Sequence, residues 1–195
     1  MTKLRSIVIV MATIACASRL QVPALAQTPP PSPSADAGPS LEATMMFLQE
    51  KLQQQGPVSI TAHVRDDAAG SSWIVQHGQE YSNVVADPAD CKLSFHAKTI
   101  TNGTITAEGD DYILLSEAEE IVVLPIEQDW RDGDSRHGHS TWTYHADPGA
   151  FVLRVNLKLG DHQSFYFYEA DLANRVAKAI VHAVELCSGD ARDGF

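Results

Sequence analysis

The feature that most restricts the fold is a double change of period: a helical repeat near each end of the sequence encloses a middle in which apolar and polar residues alternate by two. Ser40 can cap a helix over 41–55, in which Leu41, Met45, Leu48 and Leu52 fall at i, i+4, i+7 and i+11, with Gly56 and Pro57 behind it. From Ile60 the pattern changes. Ile60, Ala62 and Val64 point one way and Ser59, Thr61, His63 and Arg65 the other, as a half-buried strand requires. Cys91, Leu93, Phe95 and Ala97 repeat the alternation against Lys92, Ser94, His96 and Lys98, and Asn102-Gly103 supplies a hairpin turn that returns the chain antiparallel over 104–107. Residues 112–115 and 121–126 read as two more strands around an acidic turn over 116–120, with Pro125 consigning the second to an edge or a bulge. Phe151, Leu153, Val155, Leu157 and Leu159 then alternate without a break, turn at Gly160-Asp161, and return through Phe165 and Phe167. The last element is a helix over 172–187. Its stripe of Leu172, Val176, Ile180, Ala183, Val184 and Cys187 faces inward, and Ala173, Ala177 and Ala179 let it lie close to a sheet.

A meander that ends in a long amphipathic helix predicts an α+β fold: a bent antiparallel sheet or open barrel, closed by the C-terminal helix and carrying an extra N-terminal helix. That order resembles the pleckstrin-homology-like (PH-like) superfold over roughly residues 73–186, departing from it in the helix over 41–55 and in an early strand. The resemblance implies a fold and no activity. In local wording, LEATMMFLQEKL from Leu41, SNVVADPADC from Ser82 and ANRVAKAIVHAVELC from Ala173 resemble a group of exported bacterial proteins of uncharacterised function. These blocks fall on structural elements, so what this second resemblance implies is a scaffold and not a site.

Ahead of the first helix, Lys3 and Arg5 precede an apolar run from Ile7 to Ala17, and Ala24-Leu25-Ala26 places small residues where a signal peptidase reads. Residues 1–26 are therefore expected to be an export signal cut after Ala26, giving a periplasmic or secreted protein. A lipoprotein attached through Cys16 is the alternative, with Thr13 standing where a Leu is expected. The run is shorter than the roughly 20 apolar residues of a membrane span, and no later segment comes close. Residues 27–39 hold five of the ten prolines and no large apolar side chain, and read as an extended linker. Residues 40–189 are of a length to form one domain, with 190–195 as a tail. Removing the signal takes away Lys3, Arg5 and Arg19 and no acid, leaving 11 basic against 25 acidic residues. So acidic a chain lacks the basic stripe that nucleic acid needs.

The exported chain keeps Cys91 and Cys187, both on inward positions, in a compartment where thiols oxidise. One disulfide between a strand and the end of the last helix is expected, and two separate buried thiols are the other option. A bridge closing nearly half the chain is worth about 4 to 5 kcal/mol in the chain-entropy description. No Cys-x-x-Cys is present to exchange disulfides.

Hydrolase and nucleotide signatures are missing: there is no G-x-S-x-G, no H-E-x-x-H and no P-loop. The richest cluster is Asp132, Asp134, His137, His139 and His145 in RDGDSRHGHSTWTYH. On a strand, His137 and His139 project to one side roughly 7 Å apart, and with His145 and a carboxylate they complete a zinc or copper set. As a loop, the same residues are solvated turn formers around Gly133, Ser135 and Gly138. His182 with Glu185, and Glu117, Glu119 and Glu120, read as solvated surface, while Asn102-Gly103-Thr104 matches a glycosylation acceptor already explained as a turn. The aromatic residues outside the core stripes, Trp73, Trp130, Trp142, Tyr166 and Tyr168, are the candidate anchors of a binding surface.

These features point to an exported, non-enzymatic binding or interaction module for a protein or small-molecule ligand, without a cofactor. The alternative is a metal-binding protein or metal-dependent periplasmic enzyme using His137, His139 and His145 with Asp132 or Asp134. A third reading is a barrel that holds a small apolar ligand inside.

Overall fold

Ser40 begins the fold as the sequence requires: its hydroxyl accepts the Ala43 N–H at 3.2 Å, and the helix it caps, α1 (Leu41–Gln54), buries Thr44, Met45, Leu48 and Leu52. The computed structural model describes residues 38–136, 138–139 and 141–189, all within Ala37–Phe195, the second of two units into which the chain divides. The expected export signal over 1–26 with Cys16, the linker through residue 37, His137 and the tail over 190–195 lie outside the described residues.

Five strands form the first sheet: β1 (Val58–Asp66), β2 (Ser71–Asp87), β3 (Lys92–Thr101), β4 (Thr104–Leu114) and, far later in the chain, β6 (Trp142–Asp147). Their order is β4-β3-β2-β1-β6, with every neighbour antiparallel. The second sheet has β5 (Ala118–Pro125), β7 (Phe151–Leu157) and β8 (His162–Phe167) in the antiparallel order β5-β7-β8. Helix α2 (Ile126–Arg136) lies between β5 and β6 in sequence, and α3 (Ala170–Cys187) closes the fold. The class is α+β with a helix before and a helix after the strands, as expected. Two separate antiparallel sheets replace the single bent sheet or open barrel, however, and the described residues contain no closed barrel. The chain leaves the first sheet at the end of β4, where a short 3-10 turn over Leu115–Glu117 separates it from β5. Pro125 ends β5 on the edge of the second sheet, as expected, and the chain turns there into α2.

Other expectations shift for local reasons. The strands expected over 104–107 and 112–115 are one strand, β4, because its polar centre lies on a sheet edge where side chains reach water. Glu119 and Glu120 belong to β5 and not to a turn. Leu159 is 88% exposed in the connection after β7, where Gly160 takes φ +85°. The Asn102-Gly103 turn forms as expected, with φ of +50° and +77° matching a type I′ hairpin. The buried stripe of α3 is Ala173, Val176, Ile180 and Ala183, with Leu172, Val184 and Cys187 partly buried beside it, because α3 packs against both α1 and the second sheet.

The main core joins the two sheets and the outer helices. Tyr81, Phe95 and Phe165 hold their ring centroids 4.8 to 5.6 Å apart, and Met45, Leu48, Leu93, Leu153, Phe167 and Ile180 fill the space around them. Cys91, just before β3, is bonded to Cys187 at the end of α3 with a Cα separation of 5.8 Å. A second, smaller core of Val58, Ile60, Ile126, Ala146 and Ala150 lies where α2 meets the first sheet. No described helix is long and apolar enough to cross a membrane.

Candidate functional site

The second core opens into an aromatic pocket, and strand register dictates its shape. On the inner face of the first sheet Val64 stands opposite Trp73 on one side and Tyr144 on the other, while Ala62 stands between Val75 and Ala146. Val64 is small beside the two rings that flank it, and the row of Ala62, Val75 and Ala146 behind it is smaller still, so a hollow is left between strands only about 4.8 Å apart. Trp142 extends one wall from the next inward position, opposite Asp66. Helix α2 lies across the hollow, with Ile126 buried in the second core, Trp130 packed on that core, and Asp134 one turn further along the same face. The result is a cavity of about 130 Å³ lined by Ala62, Val64, Trp73, Val75, His77, Trp130, Asp134, Trp142 and Tyr144.

All three tryptophans of the chain line this cavity. Trp73 and Trp142 meet edge to face at 4.9 Å, and Trp130 lies 6.0 Å from Tyr144 and 5.5 Å from the His77 ring. Each of these rings is only half-buried, so the pocket reaches solvent. The Tyr144 hydroxyl donates to the Asp134 carboxylate, and burial, reinforced by that carboxylate, holds the phenol far above its ordinary range. Tyr144 therefore stays a donor. Burial lowers the His77 pKa below its ordinary 6.5, which favours the neutral imidazole. The Trp130 indole N–H hydrogen-bonds Tyr166, which leaves the ring faces of Trp130 unengaged by that bond. A part-buried pair on the neighbouring turn anchors the covering helix: Asp129 accepts from the Arg154 guanidinium of β7.

Among the residues expected to form a binding surface, Trp73, Trp130 and Trp142 converge, Tyr166 packs behind Trp130 on the second core, and Tyr168 lies apart. The Tyr168 hydroxyl accepts the Ser59 N–H at 2.7 Å and donates to the Ser59 carbonyl at 3.0 Å, clasping the end of the first sheet. Tyr144 and His77 join the site without having been singled out from sequence. Trp142, Tyr144 and Ala146 alternate in TWTYHA, so the inward position of Tyr144 is legible once β6 is recognised as a strand.

The described members of the expected metal cluster do not converge on one point. His145 occupies the outer, solvent face of the first sheet, directly opposite His63 with centroids 6.1 Å apart, while Asp134 lies on the inner face. His139 stacks on Trp142 at 3.9 Å. Asp132 belongs to α2, and His137 is outside the described residues. Among the described residues no three His, Cys, Asp or Glu side chains are placed to hold one ion. The stretch expected as a loop or a single strand is helix α2, a short connection and β6. No protein-family model, curated protein or solved structure matches this chain.

Proposed function

We propose that this protein is an exported, non-enzymatic binding module whose ligand site is the aromatic pocket beneath α2. One observation carries the reading: tryptophans from β2, α2 and β6, distant in sequence, surround a hollow floored by Ala62, Val64 and Val75 instead of filling it. Rigid aromatic walls with a few placed polar groups are what a small-ligand site requires. A volume near 130 Å³ admits a group about the size of benzene, which occupies an engineered apolar cavity of about 150 Å³. Export after cleavage near Ala26 is consistent with a disulfide between Cys91 and Cys187. The order of strands followed by a C-terminal amphipathic helix supports a distant PH-like relationship, with the sheet divided in two.

The test follows the indole N–H resonances of Trp73, Trp130 and Trp142 by NMR while small molecules are screened. Binders are expected to shift all three, and Val75→Phe, which fills the floor, is expected to abolish the shifts while the remaining spectrum stays folded. Binders that move resonances elsewhere and leave the indoles in place would overturn the assignment.

A further inference from the structure

We infer that the group the pocket takes is an alkylated ammonium, a trimethylammonium head carried on a small solute. This rests on the pocket being the ligand site, and four observations select the charge and the alkylation. First, the walls include three indoles and a phenol, rings of the kind that attract a cation, with one face of Trp142 covered by the stacked His139. Second, the one carboxylate lining the cavity, Asp134, is the only formally charged side chain among the lining residues once His77 is neutral. A cationic occupant gives that carboxylate a counter-charge, which an uncharged one does not. Third, the helix that carries it bears four acids, Glu127, Asp129, Asp132 and Asp134, against Arg131 and Arg136, on a chain of net charge -11, so the balance of the surrounding field favours cations although Asp129 is paired with Arg154. Fourth, the cation–π contacts recorded among the described residues involve Phe47 and Tyr112, and none falls on a tryptophan.

Polar capacity separates alkylated from bare ammonium. A primary ammonium brings three donors and a tightly held hydration shell. The Asp134 carboxylate is the single charged acceptor in the lining, and it already accepts from Tyr144. A trimethylammonium has no N–H to satisfy, spreads its charge over methyl groups, and has the five-heavy-atom bulk of a group that fits a cavity of about 130 Å³. Transition metals are poorly matched, since the pocket offers one carboxylate and one imidazole among carbon walls.

Choline and its uncharged isostere 3,3-dimethyl-1-butanol differ only by nitrogen for carbon at the branched centre, so comparing them on the purified protein isolates the charge. Choline is expected to shift the three indole resonances saturably, with an affinity at least about tenfold above the isostere, and Asp134→Asn is expected to narrow that ratio severalfold. Equal binding of the two probes would overturn the cationic assignment and leave the pocket as a neutral site. Binding of other small molecules, but of neither probe, would do the same. If no small molecule of any charge moves the indoles, the pocket itself is not the ligand site and both readings fall. Co-sedimentation with phosphatidylcholine vesicles, against phosphatidylglycerol vesicles as control, separates the sources. Choline binding without vesicle capture supports a free solute, and capture by phosphatidylcholine alone supports the same head group presented on a lipid.

Discussion

Two histidines show how residues of one kind diverge with their surroundings. His96, on the outer face of the first sheet, has its Nδ1 2.8 Å from Asp110 and its Nε2 3.5 Å from Glu108 on the neighbouring strand. The Asp110 hydrogen bond first, and then that of Glu108, raise its pKa above 6.5. His77, beside Trp130, is pushed below 6.5 by burial. The two signs give opposite pH windows. The stabilisation from charged His96 is fully present below 6.5 and is lost as pH rises through its raised folded value, whereas that from neutral His77 is present above 6.5 and is lost as pH falls through its lowered folded value. Imidazole titration by nitrogen-edited NMR is expected to find His96 midway above 6.5 and His77 midway below it. A midpoint for His77 at or above 6.5 would mean that Trp130 and α2 do not shield it. Neither shift is legible in the sequence, because each depends on what the neighbouring strand or helix brings to the ring.

At the scale of elements, α2 is the piece on which the site depends and the one the sequence conceals. Its inward positions, Ile126, Trp130 and Asp134, recur every four residues, but the third is an acid, and the helix otherwise reads as polar filler with Gly133 inside it. Tertiary partners hold it instead: Ile126 is fully buried in the second core, and Asp129 pairs with Arg154, both side chains about 14% exposed. Arg154 Nε is buried without a hydrogen-bond partner, so the guanidinium relies on Asp129. Replacing Asp129 by Ala strands a buried charge and is expected to cost about 3 kcal/mol in urea unfolding, with faster amide exchange across α2. A change within about 0.5 kcal/mol would show that the pair does not anchor the helix. Strand β6 was hidden for a related reason. It is six residues long, and its inward row of Trp142, Tyr144 and Ala146 sits among histidine, threonine and aspartate.

For the whole molecule the disulfide is the covalent tie between distant segments. Cys91 and Cys187 are 96 residues apart in sequence and join the first sheet to the end of α3, so the bridge excludes a large share of unfolded conformations. Replacing both cysteines by Ala is expected to lower unfolding free energy by about 2 to 5 kcal/mol, read as a lower urea midpoint. Because α2 and the pocket lie at the other core, choline binding by the folded fraction of that variant is expected to be unchanged. A disulfide-free protein of undiminished stability would show that the bridge constrains little beyond what the main core already fixes.

The sequence alone determined the elements whose period is carried by apolar side chains: α1, β1, the β3–β4 hairpin at Asn102-Gly103, the β7–β8 pair and α3. These patterns follow from burying one face, a local consequence of composition. It also singled out the three tryptophans, as large aromatics outside a core stripe, and the pair Cys91 and Cys187, both on inward positions. Only the tertiary structure decided that the strands divide into two sheets, that β6 returns to pair with β1, and that α2 forms a roof over Ala62 and Val64. Those outcomes depend on pairings between segments some 80 residues apart, which no local period encodes. The pocket exists because Val64 on β1 falls level with Trp73 and Tyr144 while Ala62 falls level with Val75 and Ala146, a coincidence of register that is fixed only when the strands pair.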